Sequence, residues 1–583
     1  MNTWRTLIVG VALLAGCQGA IGGSQSTTGN GTGAGASTGS GTGNTVGTGT
    51  GNTVGTGTGN TTGTGAGGTG TPVDPTVCTP GVPTTSQLPR LTRAEYDKTT
   101  RDLLGIDVQP SSMLAPDTVG SVDQRAWDGF KTAADSLATQ VMASTTAKAK
   151  VLPCTTDSAA CIQQFVTAFG QKAFRRPMTT AEVTRFTNLY ANRSTLTQTG
   201  TFNEAVQLII KAFLLSPSFL TKAETSEAAN DGSGNFQLSS WEMASRLSYT
   251  LWGTMPDDTL FTAAQNNQLL AQSDILAQAQ RMLQDPKARV KMADFHTAYA
   301  LQGDATRWSE AAHDPTMFPM FTTAMVPELT TEAAKFFDYV TFDLKGSFQD
   351  LLTKPVAFVN KDLAPIYGLS ASSFGTDYTL TNLDPTQRAG VFTHAGFLAS
   401  YSSYNRTSPI LRGAFIEKQV LCRQIPAPPP GAANTPLPAT GNTNRDMVTA
   451  QTSADACAGC HASIVNPPGF ALEAYDSIGT WQTTEKASGA AINSVADVEI
   501  GGNTVHVTGP IDLMTAIANS TEGQSCYAQR LVTYSYERDL TNQDVCTVQM
   551  MAGKMAQPGY TILSMLTDLT QTQSFRYRAK ELP

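Results

Sequence analysis

Histidine is scarce in this chain, with five residues in 583. Charge is sparse as well: Asp, Glu, Lys and Arg make up 15% of the residues and leave a net charge of −8. A lightly charged, acidic chain lacks the basic surface that nucleic acid demands, which argues against nucleic acid as the main partner. Apolar runs of membrane-spanning length are missing, since the run from Leu7 to Leu14 falls well short of the ~20 residues a spanning helix needs. No Ser-His-Asp order, phosphate-cradling glycine loop or zinc-protease motif is present. What the chain does have is 40% hydrophobic residues, enough for a large buried core, so wholesale disorder is excluded. Its length suits about three to four domains of roughly 150 residues behind an atypical N-terminus.

That N-terminus reads as an export signal. Arg5 precedes the apolar Leu7–Leu14 run, and Leu14-Ala15-Gly16-Cys17 follows at once. Small residues before a single cysteine resemble the bacterial lipobox, in which the cysteine is diacylated. Residues 1–17 are therefore a lipoprotein signal, Cys17 is the lipidation site, and the protein is tethered to a membrane without spanning it. Residues 18–77 follow as a Gly/Thr-rich linker with an eight-residue repeat from Gly43 to Thr58. A segment with almost nothing to bury cannot offset the entropy of ordering, so it is expected to be a flexible leash reaching roughly 40 Å root-mean-square.

The remainder patterns as mainly α. Capping boxes mark helix starts at Thr92-Arg-Ala-Glu95, Thr179-Thr-Ala-Glu182, Ser239-Ser-Trp-Glu242 and Asp384-Pro-Thr-Gln387. Apolar spacing is helical behind Trp241 and from Glu332 through Phe336, Phe337 and Val340. Val495–Val507, alternating around Gly501-Gly502, reads as a small β-hairpin. Pro426–Pro430 and the small polar residues that follow look like a connector.

One motif carries chemistry. Cys457-Ala-Gly-Cys460-His461 has the spacing of a c-type haem attachment site. Two thiols three positions apart reach the two vinyl carbons on one porphyrin edge, and the adjacent imidazole supplies the proximal iron ligand. With nine Cys and five His, such a pattern arises by chance in roughly one chain of this length in a thousand. Covalent haem attachment takes place outside the cytoplasm, in agreement with the export signal. Competing readings are a redox-active disulfide, a zinc site and a pair of structural cystines.

The other cysteines suit an oxidising compartment. Nine, less Cys17 for lipid and two for haem, leave Cys78, Cys154, Cys161, Cys422, Cys526 and Cys546. Cys154 and Cys161 bracket a short loop and Cys526 and Cys546 bracket two helices, which leaves Cys78 with Cys422. Six cysteines allow 15 pairings, so the connectivity stays open.

These residues bring a family into view. Arg90–Tyr96 with Arg101–Gly105, and Phe174-Arg-Arg-Pro-Met178 with Cys154 and Cys161, are its first two signatures. Leu215–Phe219, Ser245–Trp252 and Leu363–Gly368 form the third. The fourth comprises Arg388–Val391, Thr407–Gly413, Cys457–His461, Gly469–Glu473, Tyr475-Asp476 and Gly479–Trp481. Ser574–Arg578 is the fifth. In this combination the chain resembles the large bacterial proteins, abundant in planctomycetes and myxobacteria, built from the consecutive domains of unknown function 1587, 1595, 1592, 1588 and 1585. On that resemblance the segments are 78–150, 151–225, 226–384, 385–490 (with the CxxCH motif) and 491–583. It implies a multi-domain helical body with a cytochrome-c-like haem-binding region, facing outward, and names no substrate.

Haem c is thus the expected cofactor, held by Cys457, Cys460 and His461. The candidates for the distal iron ligand are His394, Met447, His506 and Met514, because the position three after the motif histidine is Ile464. Glu473 has a conceivable general-acid role, against a solvated or capping one. Arg175 and Arg176 read as carboxylate partners at a helix boundary. The leading functional expectation is electron transfer at the outer membrane, cell surface or periplasm, with a redox partner the residues do not name. The alternatives are a haem peroxidase or oxidoreductase, and a non-catalytic surface scaffold.

Overall fold

Local capping chemistry sets many of the helix starts. In the computed structural model, which describes residues 77–85, 88–117, 123–227, 232, 234–301, 305–426, 436–437 and 441–580, Thr92, Thr179 and Ser239 each cap a helix. At the first, Thr92 Oγ1 accepts from Glu95 N at 3.2 Å and Glu95 Oε2 accepts from Thr92 N at 3.0 Å. The helices that follow are Arg93–Leu104, Thr180–Ala191 and Ser240–Trp252. The Glu332–Val340 pattern lies in the helix Val326–Asp338 and the π-turn Tyr339–Asp343 that extends it. Cys17 and nearly all of the 18–77 linker fall outside the described residues.

The fourth expected start is a correction. Asp384 begins a turn and no helix, because its carboxylate takes the N–H and hydroxyl of Thr386, two residues on, at 2.9 and 2.7 Å. The chain then bends at Gly390, with φ +64°, where a Cβ would lie 2.3 Å from Leu351 O.

The fold is mainly α with three small two-stranded antiparallel ladders among the described residues. Ala496–Ile500 pairs with Asn503–Val507 through Gly501 and Gly502, both at positive φ, the conformation a tight hairpin turn requires. Val356–Val359 pairs with Thr379–Asn382, and Phe236–Gln237 pairs with Tyr577–Arg578 near the C-terminus.

Packing organises the chain around two cores. One draws Tyr96, Phe130, Phe165, Phe213 and Phe219 from residues 91–220, with Tyr249, Met255 and Phe261 from beyond. The other runs from Leu238 to Phe575. The helix Ser240–Trp252 serves both, sending Tyr249 into the first and Leu247, Leu251 and Trp252 into the second. Buried charge ties the cores together. Lys222 Nζ bonds Glu95 Oε1 at 2.9 Å and Glu537 Oε2 at 2.5 Å, and Lys291 reaches Glu537 at 3.4 Å. Arg246 pairs with Glu224 and donates to the carbonyls of Ser574 and Phe575, which explains the arginine in the Ser245–Trp252 signature.

The disulfides are Cys154–Cys161, Cys78–Cys546 and Cys422–Cys526. The pair Cys526–Cys546 expected from spacing, and with it Cys78–Cys422 left over by exclusion, does not form. Cys526 looks from the helix Thr521–Tyr536 onto the Ile416–Val420 turn, where its neighbour Arg530 donates to Lys418 O. Cys546, on the helix Asp544–Met555, meets the N-terminal strap, and Thr79 N donates to Asn542 O at 3.2 Å. Arg175 is a further correction. It caps the helix Ala159–Phe174 at φ +57° and donates to the carbonyls of Ala173, Ser218, Phe219 and Thr221 instead of to a carboxylate. Arg176 does pair with one, Glu182, at 2.8 Å.

Candidate haem-attachment site

The motif sits on a helix with a widened turn. Asp455–Cys460 is α-helical, His461–Val465 forms a π-turn, and Asn466–Ala471 resumes the α-helix. Residues three and four apart share a helix face, so Cys457, Cys460 and His461 project from one side. Both thiols are half-buried and unpaired, while the other six described cysteines are bonded in pairs.

His461 is held by a residue the sequence reading passed over. Its Nδ1 lies 3.0 Å from Asn466 Oδ1, and the assignment of atoms follows from the network behind it. Thr452 Oγ1 donates its proton to Val448 O at 2.8 Å, so it must accept from Asn466 Nδ2 at 2.9 Å. The amide is thereby oriented with Oδ1 toward the imidazole, Nδ1 carries the proton, and Nε2 keeps its lone pair. Asn466 is 2% exposed, which shields this chain of bonds from water.

The π-turn makes that contact possible. Side chains five apart on an α-helix diverge by about 140°. Here Asn466 N donates to His461 O, the i→i+5 bond of a π-turn, and the wider turn brings residue 466 round beneath residue 461. Pro467 and Pro468 follow, neither with an N–H to continue an α ladder back into the turn.

Two glycines seat this helix against Pro409–Phe415. A Cβ on Gly413 would fall 1.8 Å from Val465 O, and one on Gly469 would fall 2.0 Å from Pro409 O. Only glycine permits so close a backbone approach. Beneath them Arg412, fully buried, donates to the carbonyls of Leu472, Tyr475 and Asp476 at 3.0, 3.1 and 2.8 Å and to Ser402 Oγ at 2.9 Å. Arg388 does the same for Thr393 and Gly479 at 2.6 and 2.7 Å, between the rings of Tyr367 and Tyr475. Signature residues far apart in the chain thus form one carbonyl cage around residues 472–479, just past the motif in sequence.

Glu473 is not solvated: it is 3% exposed and lies just beyond the helix that ends at Ala471. Its Oε2 accepts from Thr407 Oγ1 at 2.9 Å and Asn444 Nδ2 at 3.1 Å. Burial pushes its pKa up to about 7, against the pull of Arg412. Asp476 closes its own turn by accepting from Ile478 N and Thr480 N.

The distal candidates occupy four different settings. His394 is 1% exposed, its Nε2 is bonded to Val356 O at 3.0 Å, and Phe336 packs edge-on against its ring. Burial drives its pKa down to about 3. Met514 is buried on the helix Pro510–Asn519 within the second core. His506 is exposed on the hairpin and bonded to Asp497 at 2.8 Å. Met447 is half-buried on Asn444–Gln451, the helix that leads into the motif.

The donor set fits a covalently attached haem. Such a group needs two thiols and one imidazole nitrogen on this side, and all three are free on one face. Zinc would need about four donors, and among the described residues no group of three or more His, Cys, Asp or Glu is arranged to hold a metal ion.

Five family models match in sequence, each described as a protein of unknown function: DUF1587 at 89–145, DUF1595 at 161–224, DUF1592 at 238–369, DUF1588 at 388–485 and DUF1585 at 504–575. The chain belongs to the planctomycete-type, cytochrome-c-like multi-domain proteins. In this family arrangement the DUF1588 segment, also called PSCyt3, carries Arg388, Arg412, Cys457, Cys460, His461 and Asn466 together. No curated protein and no solved structure matches the chain. Among the described residues no helix is long and apolar enough to cross a membrane.

Proposed function

We propose that the protein is an exported c-type haem protein, anchored through lipid on Cys17, that passes single electrons at the bacterial cell envelope. One observation carries the reading: Cys457 and Cys460 are unpaired on the same helix face as an imidazole whose Nδ1 is already engaged by Asn466. The two sulfurs would hold the macrocycle through thioethers, and His461 Nε2 would face the iron. Bound haem supplies one-electron chemistry at a potential tuned by its protein surroundings. Asn466 makes His461 a more basic ligand and fixes its ring plane. The half-exposed face suits contact with a redox partner.

Mass spectrometry and a pyridine haemochrome assay on the exported protein test this. Haem mass on the 457–461 peptide, lost in Cys457→Ser and Cys460→Ser, is expected; thiols that are free, cross-linked or zinc-bound overturn the reading. Low-spin iron that ignores cyanide fits an electron carrier, whereas open high-spin iron that binds cyanide shifts the assignment to peroxide chemistry. Cys17→Ala is expected to release the protein from membranes.

A further inference from the structure

A polar cavity of about 260 Å³ lies beside the carbonyl cage, lined by Arg307, Glu310, His313, Ser400 and Ser402, with alanines between them. At roughly 30 Å³ per water it has room for about nine waters. Two of its polar side chains are more than nine-tenths buried. His313 is 7% exposed, with the backbone of Ala399, Ser403 and Tyr404 in hydrogen-bonding reach of its ring, and Ser400 is 5% exposed with no hydrogen-bond partner for its Oγ. A buried polar group left unpaired costs about 1–3 kcal/mol, so native structures keep few of them and collect them where a ligand or ordered water completes the set.

The lining also states what it would accept. Burial holds the His313 pKa below its ordinary value, against the opposing effect of backbone hydrogen bonds with Ser403, Ala399 and Tyr404, and so favours the neutral ring. A neutral imidazole and a hydroxyl each donate and accept one or more bonds. At the cavity's edge, Arg307 lies over the Tyr401 ring at 5.2 Å and Glu310 is exposed, so the two side-chain charges there are of opposite sign. The lining therefore has no net side-chain charge for an anion or a cation to neutralise. Alcohol groups, which donate and accept alike, match the deep groups best.

We propose that this cavity binds a small, neutral, hydroxyl-rich molecule with the size and chemistry of a single sugar unit. The proposal is independent of the haem reading. Ser402 fixes one wall by donating to Leu398 O at 2.8 Å and accepting from Arg412, so an occupant would adjoin the carbonyl cage.

Saturation-transfer NMR and calorimetry on the exported chain, with glucose, galactose, mannose and xylose as probes and glycine, alanine and inorganic phosphate as controls, provide the test. At least one sugar is expected to bind with a Kd of about 1 mM, a typical value for a few hydrogen bonds. Ser400→Ala removes an orphaned hydroxyl, so its melting temperature should hold or rise while sugar affinity falls about tenfold, and Arg307→Ala should weaken binding as well. Absence of binding by all four sugars, tighter binding of an amino acid or phosphate, or unchanged affinity in both variants overturns the proposal.

Discussion

Asn466 turns its side-chain oxygen toward Nδ1 of His461 and its backbone N–H toward the His461 carbonyl, gripping one histidine at two points. This predicts opposite shifts from two substitutions in the haem-loaded protein. Asn466→Leu leaves the imidazole N–H without an acceptor, makes His461 a weaker ligand and raises the reduction potential. Asn466→Asp strengthens the acceptor and lowers the potential. Loss of such a partner elsewhere weakens metal ligation about 10–100-fold. Potentiometric titration of both variants checks this, and identical potentials would sink it.

The glycine contact sets a steric prediction. Gly413→Ala and Gly469→Ala each drive a methyl group into backbone, with no flexible side chain to give way. Overpacking costs about 1–3 kcal/mol even where side chains can adjust, so each variant should lose at least that much. Thermal unfolding measures the loss. Gly553→Ala, on the exposed side of the helix Asp544–Met555 where a Cβ meets nothing within 4 Å, serves as the control and should hold or gain stability.

The cystine pattern can be read by peptide mapping under non-reducing conditions. Cys78 should appear joined to Cys546 and Cys422 to Cys526, with Cys457 and Cys460 in neither. Cys546→Ser should cost about 2–5 kcal/mol of stability, the usual range for a lost native cross-link, and should leave the Cys422–Cys526 pair intact.

Stability should also depend on pH through Glu332. It is fully buried, accepts a hydrogen bond from Tyr367 on Oε1, and has no partner on Oε2. Burial pushes its pKa up to about 8, with Tyr367 and Arg388 opposing. The folded protein thus holds a proton that the unfolded chain releases above an ordinary pKa near 4.5. Its contribution is fully present below that value and is lost as pH climbs toward 8, at up to ~1.4 kcal/mol per pH unit. Glu332→Gln keeps the neutral shape, so the variant should gain on the wild type between pH 5 and 8 in denaturant titrations. A constant difference across that range would refute the assignment.

How much of this was legible in the sequence follows the range of the interactions. Thr92, Thr179 and Ser239 could be read because a capping box is complete within four residues. Asp384 misled because the same residue types also build a turn, and the choice depends on where Gly390 must pack. Cysteine spacing could not tell Cys546 from Cys422 as the partner of Cys78, since that choice is made across 468 positions by helices whose facing sides are set in three dimensions. Cys457, Cys460 and His461 were visible as a motif because their chemistry fixes their spacing. Asn466 was not, because it reaches His461 only through a π-turn, and an α-helical reading points it elsewhere. Arg388 and Arg412 stood out as signature residues, yet their task, gathering carbonyls from residues 393–479, emerges only when the chain is folded.

The Cys78–Cys546 bond has a mechanical consequence. Any tension arriving along the chain from before Val77 meets a covalent junction one residue later and passes into the helix Asp544–Met555, almost at the opposite end of the sequence. The Arg93–Leu104 helix beyond the junction is therefore off the load path, and a tug on the N-terminus cannot unzip the body from its first helix.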